Sequence, residues 1–268
     1  MKKSLLSSIL LSAAVVPCAL VMTACGGGEQ LDQFAQVNTK GAYTTSTQAA
    51  MSEYVADENV TDEVATGYHV SMESTGMANM FMNMYVKADA EGNAIESALK
   101  IKAQDEEEST EMSIWVKDGV IYMDTLMGGQ SLKTKMTLDL GIDAETALLE
   151  FGGAGAPVAA SDFVETFGEM SGEVGNMIFE VAQTETSVKY HAKNKEAYTI
   201  TIEGMSAEFE KIEMYLVYEN NQFVGATLEG KYTITIEGEE IVSTTKMAIT
   251  TFSGDITFPN FEEFTLGL

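Results

Sequence analysis

The side chains with the most chemistry to offer in this chain are its thioethers. It holds 17 methionines, and Met72, Met77, Met80, Met82 and Met84 fall within one short stretch. Two chemistries use such a cluster. Thioethers are soft ligands that select Cu(I), with Met77, Met80, Met82 and Met84 the candidate ligand set. Unbranched, polarisable side chains also repack around varied apolar surfaces, as core filler or as a cavity wall. Spacing favours the second use. Met80, Met82 and Met84 alternate along an extended segment, so their side chains share one face at intervals of about 7 Å. Three sulfurs meet on one ion only if a neighbouring strand helps.

The remaining reactive types are poorly placed for catalysis. His69 and His191 each follow a tyrosine in a segment of period two, and a functional imidazole needs placed partners. A serine hydrolase sets its nucleophile on a sharp turn such as Gly-x-Ser-x-Gly, and the chain has none. Gly152, Gly153 and Gly155 lack the Lys-Ser/Thr of a phosphate loop. Asp89-Ala90-Glu91-Gly92 lacks the ligand order of a calcium loop. Asp105-Glu106-Glu107-Glu108 reads as a solvated hairpin loop. The expectation is a protein without catalytic residues or cofactor, so not an enzyme.

One thiol has a different chemistry. Lys2 and Lys3 precede an apolar run from Leu5 to Met22, followed by Met22-Thr23-Ala24-Cys25-Gly26. A basic head, an apolar core and small residues before a cut site make a secretory signal. Pro17 interrupts the run, and a membrane span needs about 20 apolar residues. The Cys after Thr-Ala resembles the lipobox of bacterial lipoproteins. That resemblance implies that residues 1–24 are removed and that Cys25 carries a diacylglycerol with two palmitate-type acyl chains. The protein would then be extracytoplasmic and anchored to the cell membrane, since two acyl chains hold stably where one does not. Residues 25–44, rich in Gly, Gln, Thr and Asn, read as a flexible tether.

Totals narrow the rest. With Cys18 cut away and Cys25 acylated no thiol is left for a disulfide or a zinc site. Formal net charge is −26 and there is no arginine. Nucleic-acid binding needs a basic footprint, so nucleic acid is excluded as a partner. The acidity itself speaks to solubility rather than fold.

The elements that would position these residues are mostly strands. Ala50, Met51, Tyr54 and Val55 fall at helical spacing, giving an N-terminal helix over 45–56. From residue 64 the period is two. Met112, Ile114 and Val116 share a face, Asp118-Gly119 is a hairpin turn, and Leu132, Thr134 and Met136 oppose Lys133 and Lys135. The β pattern breaks over about 142–175. There Asp143 can cap a helix with Ala147, Leu148 and Phe151, and Ser161 one with Phe163, Val164, Phe167 and Met170. Strands resume near 177. The heptapeptide Tyr-Thr-Ile-Thr-Ile-Glu-Gly occurs at 198–204 and 232–238, with one apolar and one polar face, which suits two strands of one meander.

The fold expected is mostly β (α+β). It is one domain over 45–268, a curved antiparallel sheet or half-barrel with a short helical insertion and an N-terminal helix. The lipobox, the tether and helix, Lys117-Asp118-Gly119-Val120-Ile121-Tyr122-Met123-Asp124, Lys133-Thr134-Lys135-Met136, and the ending Ile256-Thr257-Phe258-Pro259-Asn260-Phe261 together resemble the lipoprotein-carrier half-barrel family. That family includes small surface lipoproteins of Gram-positive bacteria and mycobacterial lipid-binding lipoproteins. The resemblance implies an apolar or lipid ligand held in the hollow of the sheet under helices. The candidate wall residues are Met80, Met82, Met84, Trp115, Phe163, Phe167, Ile200, Ile202, Ile234 and Ile236, with Trp115 out of phase with Ile114 and Val116. The alternatives are a Met-rich Cu(I)-binding lipoprotein and a structural or surface-interaction lipoprotein with no small ligand.

Overall fold

A computed structural model describes residues 28–64, 67–76, 79–90, 94–104, 109–127, 130–137, 159–170, 176–202, 205–236 and 239–266. Cys25, Met77, the segment with Ala147, Leu148 and Phe151, and the glycines Gly152, Gly153 and Gly155 lie outside these residues.

The protein is mostly β, one large curved sheet that does not close. The first meander comprises β2 (Tyr68–Thr75), β3 (Asn79–Ala88), β4 (Ala94–Gln104), β5 (Ser109–Lys117), β6 (Val120–Met127) and β7 (Gln130–Thr137). The second comprises β8 (Met177–Gln183), β9 (Ser187–Asn194), β10 (Tyr198–Ile202), β11 (Met205–Glu219), β12 (Gln222–Ile236) and β13 (Glu239–Thr251). Antiparallel pairing of β13 with β2 joins the two into one surface. The outermost strands are very short, β1 (Thr44–Ser46) on β8 and β14 (Thr265–Leu266) parallel to β7.

Local chemistry sets the turns. Asp118 and Gly119 have φ of 51° and 70°, and Asn220 and Asn221 have 52° and 61°. Two consecutive positive φ values make a tight turn whose twist matches the strands it joins. The repeated heptapeptide is explained by register. Tyr198 and Tyr232 both pair with Phe209, and Ile200 and Ile234 both pair with Ala207, so the two copies flank one stretch of β11 on its two sides. Phe209 lies 5.3 Å from each tyrosine ring.

Three helices are described: α1 (Gly28–Leu31), α2 (Gln48–Val55) and α3 (Ala160–Met170). Thr47 caps α2 by accepting from the Ala50 amide. The start of α3 differs from expectation. Ser161 is inside the helix rather than capping it, and Asp62 does the capping from a distant loop. Its carboxylate accepts from the Ser161 amide at 3.1 Å and the Ser161 hydroxyl at 2.7 Å, and its carbonyl accepts from the Ala160 amide. A carboxylate there also complements the helix dipole.

Apolar burial falls on both faces of the sheet. The concave face holds the larger core, into which α3 inserts Phe163 and Phe167 and α2 inserts Met51. The convex face carries a smaller core of Leu31, Tyr85, Ala98, Trp115, Ile256 and Phe264. That second core corrects two expectations. Trp115 is not a wall of the hollow but packs edge-on against Phe264 on the outside. Residues 30–44 are not a free tether: Leu31 and Ala35 are buried, and the segment lies as a strap across the convex face.

Candidate functional site

The concave face is built by strand alternation, and register sets which side chains meet there. One row of directly opposed residues runs Met214, Leu228, Met247, Met72, Met82, Ile101 and Met112 from β11 to β5. A second row, one pleat away, runs Leu216, Ala226, Ile249, Val70, Met84, Leu99, Ile114 and Met123 from β11 to β6. Opposed side chains on neighbouring strands have Cβ atoms about 5 Å apart. Met247, Met72 and Met82 are therefore three adjacent thioethers on three adjacent strands, which strand spacing alone along β3 cannot provide.

Burial along these rows is uneven. Met82, Met84, Leu99, Ile114 and Met247 are buried, whereas Met72, Ile101, Met112 and Met123 are only partly so. At the β7 end the inward-facing positions open to the surface, with Leu132 55% and Met136 40% exposed. Helix α3 packs on β11, β12 and α2, in the other half of the sheet. The apolar layer thus grades from a filled core beneath α3 to an accessible rim at β7.

The expected wall residues divide as follows. Met80, Met82, Met84, Phe163, Phe167, Ile200 and Ile234 all lie on or against the concave core. The backbones of Ile202 and Ile236 end β10 and β12, and their side chains lie outside the described residues, as does Met77. Trp115 is on the convex side. Sequence reasoning missed Met247, Met214, Met112 and Met123. Each sits in a period-two run of its own, but nothing local says that β13 would land beside β2.

The convex face carries two buried histidine clusters, and both hold the strap. His69 Nε2 is 2.6 Å from Asn83 Oδ1, and Ser71 Oγ donates to the same oxygen at 2.8 Å. Ser71 Oγ accepts from the Ala35 amide at 2.8 Å, and Asn83 donates to the Gln33 carbonyl at 2.9 Å. Ser, His and Asn in contact invite comparison with a hydrolase. Here the serine proton and lone pair are both committed, and all three residues are buried beneath backbone. Burial holds His69 below the ordinary imidazole range despite its hydrogen bond with Asn83. The group is a neutral structural knot.

The second histidine pins the other end. Its ring lies flat on Tyr215, with centroids 4.2 Å apart, and Tyr43 of the strap meets it edge-on at 5.5 Å. His191 Nδ1 is 2.8 Å from Glu180 Oε2, and Nε2 is 2.8 Å from Glu213 Oε1. The hydrogen bond from His191, aided by Lys211 and Tyr215, outweighs burial and lowers the Glu213 carboxyl to about 2. Lys189 donates to the carbonyls of Asn38 and Lys40 at 2.8 and 2.9 Å. Between these clasps the strap bridges a cleft of about 230 Å³, floored by Glu213, Tyr215, Thr227 and Glu229. Among the described residues no three His, Cys, Asp or Glu side chains are placed to hold a metal. No helix among them is long and apolar enough to cross a membrane.

No protein-family model and no curated protein matches the chain. Among solved structures, it aligns with an S-type phycobiliprotein lyase from Guillardia theta at 4% identity, over 71% of this chain and 89% of that one, with a TM-score of 0.13. It also aligns with a hot dog fold protein of unknown function from Alicyclobacillus acidocaldarius at 6% identity, over 76% and 84%, with a TM-score of 0.10. At such scores neither alignment carries an argument about fold or function.

Proposed function

We propose that this chain is an extracytoplasmic lipoprotein, anchored through acylated Cys25, that holds a lipid or other apolar ligand against the concave face of its sheet without catalysis. The observation that carries the reading is the gradient along that face. Two apolar rows run from the filled core under α3 out to partly exposed Met112 and Met123, and beyond them Thr125 and Thr134 share the same face with the exposed Leu132 and Met136. A monomeric soluble protein rarely leaves a continuous apolar layer open unless something docks there. Methionine suits that surface because its flexible thioether conforms to ligands of differing shape.

Native mass spectrometry of the lipidated protein, released gently from its source membrane, tests the reading. An adduct of apolar mass beyond the acyl groups on Cys25 supports it. Its absence, together with no binding of an environment-sensitive fatty-acid probe, leaves a surface-interaction lipoprotein with no small ligand.

A second reading is favoured by one observation, the adjacency of Met247, Met72 and Met82. Three thioethers on neighbouring strands supply the soft ligands that Cu(I) prefers. Competition with a chromophoric Cu(I) chelator separates the two. Copper capture lost on changing these three to Leu supports a metal-handling lipoprotein, and unchanged capture ends that reading.

A further inference from the structure

The strap changes what a lipid anchor at Cys25 would do. Leu31, sealed into the convex core with Tyr85, Ala98 and Ile256, is six positions from Cys25. Six residues fully extended span at most about 20 Å. The strap is then held in turn by Gln30, whose side chain accepts from the Thr257 amide at 2.6 Å and donates to the Asp255 carbonyl at 3.1 Å. Ion pairs of Asp32 with Lys100 and Lys102, at 2.9 and 2.7 Å, follow. An anchor with so short a leash orients a domain as well as retaining it.

The surface around Leu31 differs in charge from the chain as a whole. Net charge is −26, which an anionic bilayer repels. On the convex side of β3 to β7, lysines and carboxylates alternate instead. Lys87 pairs with Asp255, Lys100 and Lys102 with Asp32 and Glu111, Lys117 with Glu96, and Lys133 with Glu263. Beside these pairs the C-terminal segment presents partly exposed Phe258 and Phe261, and Leu266 is 76% exposed. Phe and Leu side chains bury readily at the headgroup–acyl boundary of a bilayer, and a charge-balanced face is not repelled from it.

Resting on the lipoprotein reading, we infer that the convex face of β3 to β7, with the C-terminal segment Ile256–Leu266, is the side that lies against the lipid surface. The concave face then points away from the bilayer. The first residue of β13 is the natural distant reference. Tyr85 pairs with His69 and His69 with Thr250, so Leu31 lies at the Thr251 end of β13. Glu239, at the other end of this 13-residue strand, is about 40 Å away along it.

The test uses the full chain, expressed in a host that lipidates it and reconstituted into phosphatidylcholine–phosphatidylglycerol vesicles. With Cys18 removed and Cys25 acylated, a newly introduced cysteine is the one free thiol. Thr257→Cys and Leu266→Cys, both exposed, are labelled with a small fluorophore and compared with Glu239→Cys, using lipids that carry a headgroup nitroxide. Several-fold stronger quenching at 257 and 266 than at 239 is expected. Equal quenching, or stronger quenching at 239, in protein whose intact mass shows the acylated cysteine overturns the orientation alone. An intact mass without acyl groups overturns the lipoprotein reading, and this inference with it.

Discussion

Met72 and Met247 stand directly opposite each other across the seam where β2 meets β13. The seam joins the two meanders, so these thioethers, distant in sequence, close the apolar layer at its middle. Met82 completes the row on the far side of Met72. Replacing all three by Leu keeps side-chain volume nearly constant. Each change is expected to cost under about 1.5 kcal/mol, measured from urea denaturation midpoints. If the residues line an apolar wall, binding of a fatty-acid probe persists in the triple variant. If they hold Cu(I), copper capture disappears while the fold stays intact.

Phe163 is fully buried where α3 enters the concave core. Phe163→Ala leaves a cavity in a packed layer, so a loss of about 3–5 kcal/mol is expected. Chemical denaturation followed by tryptophan emission reports it, because Trp115 sits on the opposite face and senses only global unfolding.

The strap is held by polar groups that have no substitute when removed. Ser71→Ala leaves the Ala35 amide without its partner under a buried surface, while Asn83 Oδ1 keeps His69. An unsatisfied buried polar group costs about 1–3 kcal/mol. Amide exchange should quicken over residues 33–44 well before it quickens in β2 and β3. Uniform acceleration across the sheet would mean that the strap and sheet unfold as one unit.

The Tyr218 hydroxyl makes the opposite case. It is fully buried and has no hydrogen-bond partner among the described residues. Tyr218→Phe removes a desolvated group without breaking a bond, so the variant should be as stable as the parent or more stable. A loss above about 1 kcal/mol in thermal or urea unfolding would show that the hydroxyl has a partner after all, since that is the usual worth of one hydrogen bond.

Acid should loosen the His191 clasp. Glu213 is held at about 2 in the folded chain, first by its hydrogen bond with His191, and returns to about 4.3 when unfolded. A depressed carboxyl adds stability above its unfolded value and loses it as pH falls through the folded one. Stability is therefore expected to decline between about pH 4.3 and pH 2. The decline should be shallower in Glu213→Gln, read from urea midpoints taken at stepped pH.

Much of the architecture was legible in the residues themselves. Strand period, the Asp118-Gly119 and Asn220-Asn221 turns, the α2 helix and the inward stripe of α3 are local properties, dictated by side-chain alternation and backbone preference within a few positions. The paired heptapeptides showed two like strands before their shared neighbour was known. Ser161 was misread for the same reason, since a local rule cannot see Asp62 arriving from a loop 99 positions away.

From the sequence alone came the alternation of each strand, its greasy and wet faces, and the expectation of acylation at Cys25. Which strands became neighbours was decided only in three dimensions, because pairing β13 with β2 satisfies backbone groups at a sequence separation no local pattern encodes. That pairing brought Met247 to Met72. Folding also put Trp115 outside and converted residues 30–44 from an apparent tether into a strap, since a segment weakly apolar by itself is held when its Leu31 enters a ready-made convex core and Ser71 and Asn83 meet its backbone with matching hydrogen bonds.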